Sequence, residues 1–194
     1  MFISIRNKNL RRQQFKTSCW ISAAHFVLHY LGDGVPLNDL HARYYRPDSS
    51  SYSAMSGAGH PRKILGDYAI DEGRFPWTIK TQKTPKKEVV AAIESNIADN
   101  IPVIAAVRSH QIKGFGHALL ITAIETGSGT VGYKDPGTGA SPRRFGVDVR
   151  SVRYNEFVNG FPYRFHRTMK QMIWVYCCEI TYLRPMNEMS LFDL

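Results

Sequence analysis

The 194-residue chain is poor in cysteine: it has three, Cys19, Cys177 and Cys178. That number excludes a disulfide framework, which needs paired cysteines in a regular spacing. Cys177 and Cys178 are neighbours in the apolar run IWVYCCEITYL, which reads as a strand. Adjacent strand residues point to opposite faces, so these two do not bridge each other. The pattern fits a reducing compartment. No apolar run is long enough for a transmembrane helix. At the N-terminus, MFISIRNKNLRRQQ has its charges after a short apolar piece, which predicts no Sec-type export signal. There is no internal repeat. Gly57-Ala58-Gly59 lacks the strand–turn–helix context and the Lys-Ser/Thr of a phosphate loop. His25 and His29 share one helix face, but no further ligand follows at a metal-binding spacing. The sequence implies no cofactor and no metal.

Acidic residues are also scarce: 16 Asp and Glu against 25 Lys and Arg give a net charge of +9. Basic residues cluster at Arg6 to Lys16, Arg62-Lys63, Lys80 to Lys87 and Arg143 to Arg167. Such a surface suits nucleic acid, an anionic membrane, an acidic protein partner, or solvent alone. No nucleic-acid motif accompanies the charge. Apolar residues make up 43% and aromatics 12%, which is enough for a core without metal or disulfide support.

Ser18 or Thr17 is placed to cap a helix over about Trp20 to Leu31, where Ala24, Val27, Leu28 and Leu31 form one apolar stripe. Gly32 ends it as a C′ glycine. A shorter helix begins at Pro36 and runs to about Tyr45. Residues 46–59 read as a loop, Pro61 opens a third helix that ends before Gly73, and Thr84-Pro85 starts a fourth that runs toward Asn100. The period then changes. Residues 101–107, 117–125, 130–135, 143–152 and 172–183 are rich in β-branched and aromatic residues and read as strands, with a short helix over Tyr154 to Val158. Helices followed by a mostly antiparallel sheet make an α+β layout with two lobes.

Four residues then stand out. Cys19 falls where the first helix starts, and the unpaired N–H groups of a helix N-terminus favour a thiolate. A thiolate nucleophile needs an imidazole beside it, and the imidazole needs an orienting group. His117 begins the second predicted strand, in GFGHALLITAIE. The strand turns at Thr126-Gly127-Ser128-Gly129 and returns as VGYKDPGTG. Pairing around that turn puts Asp135 near the end of the ladder that holds His117. Gly114 and Gly116 leave room for a substrate backbone. Gln13, six residues before Cys19, is a side-chain donor for an oxyanion hole with the Cys19 backbone N–H. Gln14 competes for that role.

Gln13-x5-Cys19-Trp20 with Ser18 before the cysteine, Gly116-His117-Ala118-Leu119-Leu120-Ile121, and Lys134-Asp135-Pro136-Gly137 together resemble the papain-like cysteine peptidases. The likeness is to their compact bacterial branch, which holds the double-glycine peptidases of bacteriocin exporters and several secreted effector proteases. It covers Gln13 to about Gly32 and His117 to Gly139. Plant papains carry a Cys and a Gly shortly before the nucleophile, where this chain has Phe15-Lys16-Thr17, and their third member is usually Asn rather than Asp135. The resemblance implies a papain-like two-lobed fold in one domain over 1–194, with a helical lobe over about 13–100, a sheet lobe over about 101–185 and a tail at 186–194. It implies Cys19 as nucleophile, His117 as general base and acid, Asp135 as orienter and Gln13 as oxyanion donor, acting on a protein substrate after small or glycine residues.

The setting expected from these features is a bacterial effector toxin. A specialised secretion system would deliver it to the target-cell cytoplasm, and a cognate immunity protein would block it in the producer. Otherwise the chain is cytoplasmic. The rivals are a Cys-His-Asp amidase, deamidase or transglutaminase, and a non-enzymatic basic module that binds nucleic acid.

Overall fold

The computed structural model describes residues 2–5, 18–45, 61–70, 77–83, 89–136, 150–164 and 172–185. The first helix, α1, spans Cys19–Tyr30. Ser18 occupies its N-cap position, but the Ser18 side chain makes no capping bond. The Ser18 carbonyl instead accepts from the N–H groups of Ile21 and Ser22 at 3.1 and 3.2 Å. At the other end Gly32 adopts φ +90°. There the Asp33 N–H donates to Leu28 O and the Gly32 N–H to His29 O, a Schellman closure that only a left-handed residue permits cheaply. Nine of the twelve residues of α1 are buried, so it is a core helix and not a one-faced surface helix.

Helix α2 spans Leu37–Tyr44 and α3 spans Pro61–Leu65. A π-helical turn, Gly66–Ile70, continues α3. Asp67 on that turn accepts from the Tyr44 hydroxyl at 2.5 Å and pairs with Lys63 at 3.3 Å, tying the turn to α2. Helix α4 spans Val89–Ala98 and α5 spans Tyr154–Asn159. Asn96, buried in α4, uses its amide on both backbone groups of Leu183.

The strands are β1 Phe2–Ser4, β2 Trp77–Lys83, β3 Val103–Ser109, β4 Gly116–Glu125, β5 Thr130–Lys134, β6 Arg150–Arg153, β7 Phe161–Tyr163 and β8 Ile173–Pro185. They form one sheet in the order β2-β8-β3-β4-β5-β6, with β1 added to β4 and β7 added to β8. Every pairing is antiparallel. Helices together with one antiparallel sheet give the expected α+β class.

The sheet draws on more of the chain than the helices-first reading allowed. β1 and β2 come from the first hundred residues, and β7 follows α5. In β2, WTIKTQK carries the β-favouring Trp77, Thr78, Ile79 and Thr81, but this short signal lies among the helices of the first hundred residues. Its seven residues all pair with the long, apolar β8, from Trp77↔Pro185 to Lys83↔Glu179. The loop at 46–59, the start signal at Thr84-Pro85, most of the strand expected over 143–152 and the tail at 186–194 lie outside the described residues. None of the described helices is long and apolar enough to cross a membrane.

The hairpin that carries the expected site is present. β4 and β5 pair from Glu125↔Thr130 to Leu120↔Lys134, with a bulge between Ile121 and Ala123. β4 is buried along nearly its whole length, because β3 and β5 flank it and α1 and α4 pack against it. That burial explains its unbroken apolar run.

Candidate active site

The structure brings Cys19, His117 and Asp135 together. Cys19 is the first residue of α1, and α1 packs on β4. The backbone N–H of Ala118 points at the Cys19 Sγ over 3.4 Å. His117 is the second residue of β4, and its side chain is hydrogen-bonded to Cys19. Its Nε2 lies 2.7 Å from Asp135 Oδ1. With Nε2 committed to the carboxylate, Nδ1 is the ring nitrogen left to face the sulfur. Asp135 follows directly on the last residue of β5, at the ladder end that holds His117. Gln13 and Gln14 lie outside the described residues.

Cys19 and His117 are each 1% exposed and Asp135 is 5% exposed. Burial alone would keep the imidazole neutral. The Asp135 carboxylate and the Cys19 sulfur, through charge and hydrogen bonds, overcome it and push His117 up to about 10. An imidazole held between the Asp135 carboxylate and the Cys19 sulfur has the geometry that a thiolate–imidazolium pair requires. In a desolvated site each of these interactions is stronger than in water.

The other two cysteines are placed differently. Burial pushes the thiols of both Cys177 and Cys178 up, which opposes thiolate formation. Their S–H groups donate to backbone carbonyls, Glu179 O and Ala106 O, at 3.4 Å. All three cysteines are free. Cys19 is the one with an imidazole beside it.

Two features were not anticipated from the sequence. The Tyr163 hydroxyl donates to Asp135 Oδ2, the carboxylate oxygen that His117 does not use. Tyr163 is the last residue of β7, in the three-residue segment FPY, where nothing in the local sequence marks it. The Ala118 N–H contact to sulfur is a main-chain feature and has no side-chain signature. Trp20, beside the nucleophile, is 1% exposed and packs in the core. His25 and His29 stack on each other, with ring centroids 6.4 Å apart. Among the described residues no cluster of three or more metal-ligating side chains occurs.

Residues 5–162 match the Peptidase_C39 like family. Among solved structures, the chain is similar to the crystal structure of a double glycine motif protease from an AMS/PCAT transporter in complex with the leader peptide. The TM-score is 0.51 at 12% identity, over 94% of this chain and 98% of that one. At that identity the likeness speaks for the fold. No curated protein sequence matches significantly. The family match spans most of the chain and includes Cys19, His117 and Asp135: the chain belongs to the Peptidase_C39 like family and is a papain-like cysteine peptidase, a hydrolase.

Proposed function

We propose that Cys19, His117 and Asp135 are the catalytic centre, and that the enzyme cleaves a peptide bond after small residues, glycine above all. The observation that carries this is the single histidine bonded on one side to a helix-start cysteine and on the other to a buried carboxylate. The Cys19 thiolate attacks the carbonyl carbon of the scissile bond. The resulting oxyanion is held by the Cys19 backbone N–H and the Gln13 amide. The C–N bond then breaks, the His117 imidazolium gives its proton to the leaving amine, and a thioester remains on Cys19. Water, deprotonated by His117, attacks the thioester; the C–S bond breaks, the new C-terminal acid leaves, and the Cys19 thiolate and His117 imidazolium are restored. Asp135 orients the ring and stabilises its charge throughout.

The preference for glycine is supported by the resemblance to a double-glycine protease. Gly114 and Gly116, just before His117, add to that support, since they leave backbone room beside the site. The test is a synthetic peptide with Gly-Gly before the bond to be cut, followed by mass spectrometry. Two fragments from wild type and none from Cys19→Ala are expected. An intact chain with a deamidated or cross-linked glutamine would assign the same triad to an amidase, deamidase or transglutaminase instead. A basic nucleic-acid module would bind DNA or RNA with steep salt dependence and no response to Cys19→Ala.

The biological setting is a separate proposal: an effector acting in the cytoplasm of a target cell and held by an acidic immunity protein in the producer. Its support is the net charge of +9 alone. Growth arrest on expression in bacteria, absent with Cys19→Ala, would support it. Normal growth in cells that hold active enzyme would contradict it.

A further inference from the structure

Asp135 lies one residue past the end of β5 and just before Pro136. The terminal torsion of an aspartate is broad, so one bond to His117 does not define the carboxylate plane. Yet the side chain is 2% exposed, and both of its oxygens are used. Oδ1 takes the His117 ring nitrogen, and Oδ2 takes the Tyr163 hydroxyl.

We propose that Tyr163 is a positioning residue for this centre: its hydroxyl holds Asp135 Oδ2 and so keeps Oδ1 aimed at His117. The inference rests on the catalytic reading of Cys19, His117 and Asp135. Two bonds on two oxygens fix both the position and the plane of the carboxylate. A hydrogen bond to a carboxylate also favours its charged form, and that charge sustains the imidazolium. Burial and the neighbouring Asp135 push the Tyr163 phenol well above its ordinary value, so it is a protonated donor at neutral pH. Among the described residues, the charged and titratable groups that act on Asp135 or on its partners are Cys19 from α1, His117 from β4, Tyr133 from β5, Arg150 from β6 and Tyr163 from β7. Arg150 lies with its guanidinium carbon 5.9 Å from the Tyr163 ring centroid and donates to Arg164 O at 3.3 Å.

A purely structural role is the competing explanation. The Tyr163 ring is 1% exposed and packs on the rings of His117 and Phe161, at 5.9 and 6.3 Å between centroids. Tyr163→Phe keeps all of that packing and removes only the hydroxyl. The probe is iodoacetamide, with alkylation of Cys19 followed by mass spectrometry across pH in wild type, Tyr163→Phe, Asp135→Asn and the double variant. The expected result is alkylation slower by about tenfold or more near pH 6 in Tyr163→Phe. The reactive pH window should narrow from both sides, because the thiolate–imidazolium pair is less stable. In the Asp135→Asn background, Tyr163→Phe should have no further effect, since the hydroxyl acts through that carboxylate. An unchanged pH profile in Tyr163→Phe, or the same slowing in both backgrounds, would overturn the proposal. A second reading needs no variant. In wild type the shielded Tyr163 hydroxyl proton should give a slowly exchanging resonance close to that of His117 Nε2–H, and its absence would equally overturn the proposal. Failure of the catalytic reading looks different: Cys19→Ala would still cleave peptide, whatever Tyr163→Phe does.

Discussion

The backbone N–H of Ala118 meets the sulfur of Cys19 at 3.4 Å, although 99 residues separate them in the chain. That contact joins the start of α1 to the start of β4, and the residue before Ala118 is His117. Cysteine and imidazole are therefore aligned by main chain on both sides, with the helix N-terminus under one and the strand under the other. Site geometry of this kind tolerates little displacement, since rate depends steeply on the alignment of reacting groups.

Replacing the acid separates orientation from charge. Asp135→Asn keeps the shape beside His117 and removes the charge that sustains the imidazolium. Turnover should fall by about a hundredfold or more, with KM changed far less. Steady-state kinetics on a cleavable peptide checks this. Loss confined to KM would mean that Asp135 serves binding and not the reaction.

The pH dependence of stability should report the same pair. Burial opposes charge on His117, but Asp135 and Cys19 raise it from 6.5 to about 10. A raised folded-state value gives stability that is fully present below the unfolded value and lost as pH climbs through the folded one. The unfolding midpoint of wild type should therefore fall between pH 6.5 and about 10. His117→Gln should fall less steeply over that window. Parallel slopes would show that His117 is not held protonated in the fold.

A third prediction concerns the scaffold. Asn96 receives the Leu183 N–H at 2.8 Å and donates to the Leu183 carbonyl at 2.6 Å, both in buried surroundings. Asn96→Ala leaves both backbone groups unpaired and should cost about 2 kcal/mol or more in chemical denaturation. Activity of the folded fraction should stay at the wild-type level, since Asn96 joins α4 to β8 and does not touch the triad. A cost below the error of the measurement would mean that water replaces the side chain.

A fourth concerns the approach to β7. Gly160 sits at φ +145°, between α5 and Phe161, and its N–H closes α5 on Glu156 O at 2.7 Å. A Cβ there also meets the Trp174 ring at 3.7 Å, which is ordinary contact, so strain and not collision sets the cost. Gly160→Ala should destabilise by about 1–2 kcal/mol. Thermal unfolding checks it, and an unchanged midpoint would show that the turn relaxes freely.

Much of this site was legible in the sequence because its parts are local. A start at Cys19 and a left-handed stop at Gly32 define α1. The four-residue turn at 126–129 fixes the register that returns Asp135 to His117. What escaped was non-local. β2 holds the β-favouring Thr78 and Thr81, but only its pairing with β8 along all seven residues marks this short segment as a strand. β1 and β7 are three residues each, too short to show a period. Tyr163 reaches Asp135 across 28 residues and another strand, so no spacing rule points to it. Gln13 lies outside the described residues, so its place in the oxyanion hole rests on sequence alone.

The central claim is that Cys19 is the nucleophile of a peptidase. The most direct measurement exposes a bacterial lysate to purified wild type and to Cys19→Ala, then maps new N-termini by mass spectrometry. The account predicts new termini with wild type, clustered after small residues, and none with Cys19→Ala. Identical termini from the two proteins would contradict it and leave Cys19 a buried residue at the head of a helix.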